Sequence, residues 1–372
     1  MDVNKYSIYA LLVIMLLLPI TASAQFLTGA DTSTGLIARW PLGIAQEGVG
    51  AELLPNWDFT AEWASAGGAT INDSDTFTTT FGASGVITNP TLLTVGGLYS
   101  TSITGSESGG TTKLHNIAAG SSNEIGEMPG SYSFGAVDAN YYIRNDGTGT
   151  VVDVSTLSLK PITTFSTARD RLQAQLFGMS TTQASRYTTG PTGQANTAMI
   201  FDGTDDFANV ADNGKFNWRD KLCAGGWTYR NDVGRTEDII GKYNTTGDKR
   251  EWLLFLTGQK LTVQFGDPTN GTFEGRWISD DNVVTTNTTW YHVAFTYNAG
   301  TVVLYVNGVA VAGSVSSGAI PVTLYNGTAD VGIGVDSAGT ANILSGLISD
   351  PFISLVPSYT TVRRMYRAGG GL

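Results

Sequence analysis

Apolar and polar residues alternate with a period of two along the segment Trp290–Val311. This alternation is typical of half-buried strands and predicts two of them, Trp290–Tyr297 and Thr301–Val306. Gly300 supplies the positive φ that the tight loop between them needs, and Asn307-Gly308 is the preferred sequence of a two-residue hairpin turn. The resulting antiparallel meander has apolar faces that a second sheet must cover. The segment therefore predicts the middle of a β-sandwich.

The same kind of pattern recurs on both sides of a less regular stretch. Residues 52–160 contain short strands rich in Thr, Ser, Val, Ile and Tyr that are separated by glycines, which predicts a second sandwich or jelly roll. Between the two modules, Thr167–Met179 has apolar residues at helical spacing, with Leu172, Leu176 and Met179 on one face. We expect a connecting helix there, capped by Thr167.

Composition supports an ordered, turn-rich β protein. The 372 residues include 46 glycines, and 10% of the residues are aromatic while only 14% are charged. Such a chain has enough apolar residues to build packed cores. The net charge of −11 excludes ordinary nucleic-acid binding, which requires a basic face.

The N-terminal 24 residues have the pattern of a signal peptide. Lys5 precedes the apolar run 10–20, and Ala22-Ser23-Ala24 offers a cleavage site before Gln25. The run is short for a membrane span, so we expect cleavage and no stable span; an uncleaved anchor is the alternative. Both place the chain outside the cytoplasm, secreted or at the cell surface. The single Cys223 cannot form an internal disulfide and is expected to be buried.

Three pieces of the C-terminal half resemble the concanavalin A-like, laminin-G-type jelly roll. They are Phe201-Asp202-Gly203 with Asp205-Asp206-Phe207, the run WYHVA from Trp290, and LYVNG from Leu304. Residues 346–350 match the last strand of that family, and residues 362–366 match the helical turn that follows it. The stretch GLIARWPL at residues 35–42 resembles the family's first strand, which implies that it joins the C-terminal sandwich.

The intervening module resembles the jelly-roll carbohydrate-binding modules attached to secreted glycanases. Its opening, ELLPNWDFTAEW, and its close, YIRNDGTGTVVDVSTLSLK, carry that resemblance. Trp57 and Ser155 depart from the family pattern at the ends that help to hold a structural calcium, which puts such a site in doubt here.

Together these observations predict an all-β chain with two β-sandwich (jelly-roll) domains, the first inserted near the start of the second. The expected divisions are a signal peptide (1–24), a linker with the first lectin-like strand (25–50), the carbohydrate-binding-module-like sandwich (51–162), a helical or loop connector (163–197) and the laminin-G/concanavalin A-like sandwich (198–372).

Catalytic machinery is scarce. The family match makes His292 structural, and His115 has no deducible partner. Glucanases of this fold carry an E-x-D-x-E triplet whose working carboxylates lie about 5 Å apart, and no such triplet occurs here. The adjacent pairs Glu237-Asp238 and Asp280-Asp281 point to opposite faces of a strand. A hydrolase would therefore need carboxylates that converge from separate strands.

Sugar binding is a better match to the residues. Sugar rings stack on exposed aromatic side chains, while amides and carboxylates read the hydroxyl groups. The candidates are aromatic residues in polar, glycine-rich settings, each of which has a core or edge position as its alternative. They are Trp57, Tyr99, Tyr132, Trp218, Tyr243, Trp277 and Tyr325.

Calcium is the one cofactor that the sequence suggests. Asp202, Asp205 and Asp206 form a dense group of oxygen ligands, and the family pairing would bring Asp350 beside them. The alternative is that Asp202-Gly203 builds a turn through Asx hydrogen bonds.

We therefore expect a secreted, non-enzymatic protein that binds a surface glycan or polysaccharide, with structural calcium. The alternatives are a structural or adhesive component, such as a phage tail-fibre-like or cell-surface protein, and a glycoside hydrolase with an unrecognised carboxylate pair. The oligomeric state stays open.

Overall fold

The computed structural model describes residues 36–40, 42, 47–55, 57–66, 68–79, 85–116, 124–165, 172–339 and 341–370. The predicted signal peptide, residues 1–24, and the predicted cap Thr167 lie outside these ranges. Within them, no helix is long and apolar enough to cross a lipid bilayer.

The described chain is built almost entirely of antiparallel strands. The first group is β1 (Leu36–Arg39), β2 (Glu47–Val49), β3 (Ala64–Ala66), β4 (Ala69–Ile71), β5 (Thr76–Thr79), β6 (Gly85–Asn89), β7 (Leu98–Glu107), β8 (Thr112–His115), β9 (Glu124–Glu127), β10 (Gly130–Gly135), β11 (Tyr141–Asn145) and β12 (Val151–Phe165). The second group is β13 (Gln173–Phe177), β14 (Tyr187–Thr188), β15 (Ala198–Asp202), β16 (Phe207–Val210), β17 (Lys221–Arg230), β18 (Thr236–Asn244), β19 (Lys249–Thr257), β20 (Lys260–Gly266), β21 (Phe273–Ser279), β22 (Trp290–Asn298), β23 (Thr301–Val306), β24 (Val309–Val311), β25 (Gly313–Gly318), β26 (Val331–Ile333) and β27 (Ser345–Ser354). The helices are α1 (Phe59–Glu62) and α2 (Tyr359–Ala368), with 3₁₀ turns at Gln183–Ser185 and Gly214–Phe216.

The two predicted hairpins of the C-terminal half are confirmed. β22 and β23 pair antiparallel across the two-residue loop Ala299-Gly300, and both residues have positive φ. β23 and β24 are joined in the same way by Asn307-Gly308. Positive φ at both central residues matches the right-handed twist of the flanking strands. The Asn307 side chain also accepts a hydrogen bond from the His292 backbone N–H, which fixes the register.

The C-terminal sandwich consists of two layers. The smaller sheet has the strand order β14-β15-β27-β17-β22-β23-β24, and the larger sheet runs β13-β16-β26-β18-β19-β20-β21-β25. Aromatic rings from both layers meet in the core: Trp252 of the larger sheet lies 5.7 Å from Phe295 of the smaller one, and Phe265 lies 5.2 Å from Tyr297. Burying such rings is the main source of stability in a fold of this kind.

The first strand of the chain belongs to this C-terminal sandwich, as predicted. β1 pairs antiparallel with β27, with Leu36 opposite Ser354 and Arg39 opposite Phe352. Trp40 follows β1 and is fully buried in the C-terminal core. Its indole Nε1 donates a hydrogen bond to the Leu172 carbonyl oxygen at 3.1 Å. The first sandwich is therefore inserted between the first and second parts of the second sandwich.

The inserted sandwich has its own core. One sheet contains β10, β7, β12, β5 and β4, and the other runs β3-β6-β11-β8-β9. Phe59 and Trp63 pack edge to face, and Phe59 also contacts Phe77. Asp58 caps α1 by accepting the Thr60 backbone N–H. The predicted jelly-roll character of this module is confirmed.

The 15-residue strand β12 connects the two sandwiches. Its first part, from Val151, pairs with β5 and β7, whereas Ile162–Phe165 pair with β2 and β13. β2 lies within the stretch that we expected to be a linker. β13 pairs in turn with β16, so hydrogen-bonded strands run continuously from one sandwich into the other.

The predicted connecting helix is wrong. Residues Gln173–Phe177 form strand β13, with Ala174 and Leu176 directed into the C-terminal core. These positions satisfy a period of two as well as the helical spacing that we inferred from Leu172, Leu176 and Met179. Pairing with two neighbouring strands decides between the periods, and a short sequence window does not contain that information.

Helix α2 covers the outer side of the smaller sheet, where a helical turn was predicted. Ser358 caps it by accepting the Thr361 backbone N–H at 3.1 Å. Val362 and Met365 pack with Cys223, which is a fully buried free thiol, as expected. Burial raises the pKa of the Cys223 thiol, so the group is an inert core residue.

His292 lies beneath this helix in an aromatic environment. Its ring centroid is 5.4 Å from that of Trp227, 5.7 Å from Tyr366 and 6.0 Å from Phe352. The side chain is fully buried and neither ring nitrogen has a hydrogen-bond partner. Burial therefore lowers the pKa of His292 to about 3.

Replacing Trp40 tests the insertion. We expect Trp40→Ala to lower the free energy of unfolding of the C-terminal sandwich by about 3–5 kcal/mol, as for other buried aromatic truncations. Val322→Ala, at a side chain that is 65% exposed, is the control and should change it by less than about 0.5 kcal/mol. Urea unfolding followed by tryptophan fluorescence measures both. A Trp40→Ala loss below about 1 kcal/mol would contradict the insertion.

His292 predicts a specific acid sensitivity. The unfolded chain protonates this residue near its ordinary pKa of 6.5 and the folded chain only near 3, so folded-state stability falls as the pH drops through this interval. At about 1.36 kcal/mol per pKa unit, the loss is at most about 5 kcal/mol. His292→Phe should remove this acid-dependent loss of stability. His115 is present in both proteins, so its contribution is the same in each and cancels in the comparison. Urea unfolding at pH 7, 5 and 4 should show a widening advantage for the variant, and parallel curves would refute the assignment.

Candidate functional site

An acidic turn follows strand β15. The Asp202 Oδ1 atom accepts the backbone N–H groups of Thr204, at 2.7 Å, and Asp205, at 3.3 Å. Asp206 Oδ2 accepts the Asp202 backbone N–H at 3.0 Å. Gly203 has positive φ, which a tight turn of this kind requires. The Asx hydrogen bonds proposed as the alternative to calcium are therefore present.

The same turn brings three carboxylates together. One oxygen from each of Asp202, Asp205 and Asp206 lies within 4.8 Å of the others. Burial, followed by the charge of Asp202, raises the pKa of Asp206 to about 7, and the pKa of Asp205 is raised by the same two causes. Asp202 Oδ2 and the Asp205 carboxylate take no part in the turn hydrogen bonds. These oxygens fit a hard cation such as Ca²⁺.

Asp350 does not join this cluster, contrary to the sequence-based expectation. Asp202 pairs with Ser345 across β15 and β27, so Asp350 lies five positions further along its strand, about 17 Å away. It forms an ion pair with Arg39 of β1 at 2.9 Å. Asp350 has positive φ, next to an irregularity in the pairing of β27 with β17 that the sequence did not reveal.

The larger sheet presents a second candidate surface, which we call the outer face. It consists of the side chains of this sheet that point away from the core. Leu254 and Val263 point into the core, whereas Phe255 and Gln264, the next residue on each strand, lie on the outer face. Strand alternation places Arg276 of β21 beside Gln264, its directly paired neighbour.

Arg276 is held rigidly on the outer face. Its guanidinium carbon lies 5.4 Å from the Phe255 ring centroid and 5.9 Å from the Phe273 centroid. Its Nη2 atom donates to Gln264 Oε1 at 3.0 Å. The Nε atom is buried and has no hydrogen-bond partner. A planar cation stacked on aromatic rings is suited to contact a polar ligand at this surface.

Tyr243 lies on the same outer face. It packs with Leu253 and Phe255 in a small cluster that is separate from the main core. Only 5% of the residue is exposed, so Tyr243 supports the surface rather than offering an open ring. Burial raises the pKa of its hydroxyl group, opposed by Arg250 and Arg276.

A comparison with known families gives this fold a name. Residues 202–354 match the family model of the Concanavalin A-like lectin/glucanases superfamily. The C-terminal sandwich is similar to the domains of that superfamily over these residues. This confirms the resemblance seen in the sequence of that domain. No curated protein matches the chain.

Several solved structures are similar to parts of the chain. The receptor binding domain of botulinum neurotoxin D has 13% identity and a TM-score of 0.40, over 55% of this chain and 49% of that chain. The ligand binding domain of serotype D in complex with N-acetylneuraminic acid has 16% identity and a TM-score of 0.40, over 55% and 48%. Domain 4 of AbnA, an extracellular arabinanase from Geobacillus stearothermophilus, in complex with arabinotriose, has 16% identity and a TM-score of 0.36, over 48% and 80%. The chain thus spans about half the length of these neurotoxin domains.

The other aromatic candidates do not form one site. Tyr99 is 2% exposed in the core of the inserted sandwich, where its hydroxyl accepts the Thr94 backbone N–H, so a sugar-stacking role is excluded. Trp57 and Tyr132 are half-buried against the same core. Tyr132 donates its hydroxyl hydrogen to the Glu127 carbonyl oxygen at 2.6 Å.

The remaining three candidates belong to the concanavalin A-like sandwich. Trp277 is half-buried and packs against the main core, on the opposite side of its strand from Arg276. Tyr325 packs its ring over Gly327 and Gly271. Trp218 contributes to a cavity of about 380 Å³, which is lined by Asn217, Trp218, Arg219, Asp220, Lys221 and Leu355. Each of these aromatics therefore packs against a different set of residues.

The acidic residues considered for catalysis have structural partners or separate positions. Glu237 forms a fully buried ion pair with Arg230 at 2.6 Å, while Asp238 pairs opposite Phe255 on the outer face. The side chains of these two neighbouring residues therefore point to opposite sides of strand β18, as strand alternation predicts. Asp280 accepts a hydrogen bond from the Ser314 hydroxyl at 2.7 Å.

Arg276 and Gln264 were not among the sequence candidates. Our search favoured aromatic residues near glycines, whereas these polar residues alternate with core residues inside β20 and β21. Their alternation with Val263, Phe265 and Trp277 is a signal that the sequence contains. Their proximity to Phe255 depends on the pairing of three strands, which the sequence does not reveal.

Proposed function

We propose that the protein is a secreted, non-enzymatic recognition protein that binds a surface glycan or polysaccharide through the outer face of its concanavalin A-like sandwich. The observation that carries this proposal is the fixed group formed by Arg276, Gln264, Phe255 and Phe273 on that face. The family match supports it, because the matched superfamily contains lectins and glucanases. Secretion rests on the pattern of residues 1–24, and a mature protein that retains these residues would count against it.

The chemistry of this group suits a sugar. Phe273 is 39% exposed and offers an apolar ring face. The guanidinium group of Arg276 and the amide group of Gln264 supply donors and acceptors for hydroxyl groups beside that ring. Because Arg276 is already stacked and hydrogen-bonded, little side-chain freedom is lost when a ligand binds.

Arg276→Ala tests the proposed surface. We expect the wild-type protein to bind at least one glycan on an array, and Arg276→Ala to weaken that binding at least tenfold, measured by calorimetry. Arg363→Ala is the matched control, because Arg363 also stacks on an aromatic ring, 5.8 Å from Tyr359, but lies on helix α2 on the opposite sheet. This control should bind as the wild type does.

The outcomes separate the three functional classes. Loss of binding in Trp218→Ala but not in Arg276→Ala would move the site to the cavity beside Trp218. Reducing-sugar release from the bound glycan would identify a hydrolase. Absence of binding to any glycan, together with defined oligomers or filaments, would favour the structural alternative.

We also propose that Ca²⁺ binds the acidic turn formed by Asp202, Asp205 and Asp206. A cation there would offset the mutual repulsion of the three carboxylates and stabilise the folded state. In protein stripped with EDTA, adding 10 mM CaCl₂ should raise the Tm, and the acidic turn should account for about 5 °C of this rise, given an affinity of about 10⁻⁴–10⁻³ M. Asp202→Asn/Asp205→Asn should remove the share of the rise that the turn contributes. Adding MgCl₂ instead of CaCl₂ to the wild-type protein should not reproduce that share. An identical calcium response in the double variant would rule the turn out.

A further inference from the structure

A pair of carboxylates, separate from the three of the acidic turn, lies inside the protein. Asp238 belongs to β18 and is 1% exposed, and Asp336 follows β26 and is 6% exposed. Burial, followed by the charge of Asp336, raises the pKa of Asp238 well above its ordinary value. A buried acid on which no basic residue acts is unusual, because an unbalanced buried charge costs several kcal/mol, and Asp238 is such an acid.

Asp238 has no hydrogen-bond partner at either carboxylate oxygen, and both oxygens are inaccessible to solvent. The backbone N–H of Asp336 and the side chain of Asn342 are nearby, but neither makes a hydrogen bond of acceptable geometry. Buried polar atoms almost always have a partner. The two carboxylate oxygens of Asp238 therefore need a binding partner that the described residues do not supply.

Protonation of Asp238 would not by itself supply the missing partner. Protonation would remove the charge, and burial together with Asp336 raises the pKa of Asp238 accordingly. It would also create an O–H donor, which needs an acceptor of its own. No hydrogen bond joins the two carboxylates. A bound cation, in contrast, would satisfy both Asp238 oxygens and balance the Asp238 charge.

The segment that carries Asp336 is closed over β18. The Gly334 backbone N–H donates to Ile239 O at 2.9 Å, and Leu344 N donates to Gly334 O at 2.9 Å. The Asp238 backbone N–H donates to Asn342 O at 2.8 Å. The carbonyl oxygens of Val335 and Asp336 face Gly332, where a Cβ atom would lie only 2.5 Å and 3.0 Å from them. The segment therefore brings several hard oxygen atoms close to β18.

We infer that Asp238 and Asp336 bind a divalent cation of the hard, oxygen-preferring kind, with Ca²⁺ as the fitting ion, at a site distinct from the acidic turn. Two carboxylates balance its charge, and backbone carbonyl oxygens complete the type of ligand set that Ca²⁺ uses. The site would fasten residues 334–339 and 341–344 to β18. Ser337 of this segment donates its backbone N–H and its hydroxyl to the Tyr243 carbonyl oxygen, each at 2.9 Å, so the cation would also steady the outer face.

The test uses the full chain in an Asp202→Asn/Asp205→Asn background, so that the acidic turn does not contribute. Asp238→Asn and Asp336→Asn are compared with Asp248→Asn, which alters an exposed carboxylate on the hairpin between β18 and β19. After removal of metal with EDTA, thermal unfolding is measured with and without 10 mM CaCl₂, and bound calcium is counted by elemental analysis.

We expect the background protein and Asp248→Asn to hold one calcium ion and to gain about 5 °C in Tm with calcium. Asp238→Asn should hold none, and the order of stabilities should reverse: the variant is more stable than the background protein in EDTA and less stable in calcium. This reversal would not arise from a merely structural carboxylate. An Asp238→Asn protein that is the more stable one in both conditions, or a background protein without calcium, would overturn the inference.

Discussion

Side-chain alternation along the antiparallel strands of the larger sheet is the constraint on which both the fold and the candidate site depend. Successive residues of a strand point to opposite faces, so each strand that buries a core residue must present its neighbour on the other side. Leu254 and Val263 enter the core, and Phe255 and Gln264 are consequently placed outside it. A shift of one residue in the pairing would exchange these faces and destroy core and surface together.

The same antiparallel pairing explains how one chain builds two interlocked sandwiches. β1 joins the C-terminal sandwich before the inserted module begins, and β12 returns from that module into a sheet shared with β13. Trp40 fastens the start of the chain to the carbonyl oxygen of Leu172, just before β13. The two ends of the insertion are therefore bound to the same core, which limits the movement of one sandwich relative to the other.

Local features of this fold could be predicted from the sequence, and features that depend on distant pairing could not. The hairpin at Asn307-Gly308 follows from two residues whose φ preferences decide the turn. The strand at Gln173–Phe177 was mistaken for a helix because its apolar spacing suits both periods until β12 and β16 pair with it. The separation of Asp350 from Asp202 depends on the register that places Ser345 opposite Asp202, and so it was not foreseen. Tyr99 looked like a surface aromatic because it follows the glycines of a turn, yet its side chain packs into the core of the inserted sandwich.

The candidate site shows the same division. Composition and the family resemblance indicated sugar recognition, but the Arg276 group comes from three strands that only the fold assembles. The surroundings of the acidic residues also depend on strand pairing. Glu237 and Asp238 are neighbours in sequence, yet Glu237 forms an ion pair with Arg230 and Asp238 lies near Asp336.

Hydrogen–deuterium exchange with and without the tightest-binding array glycan tests the central claim of recognition by the outer face most directly. The account predicts slower exchange in peptides covering residues 249–279, which contain Phe255, Gln264, Phe273 and Arg276, and unchanged exchange in helix α2. Protection confined to the inserted sandwich, or to residues 217–221 beside Trp218, would contradict it.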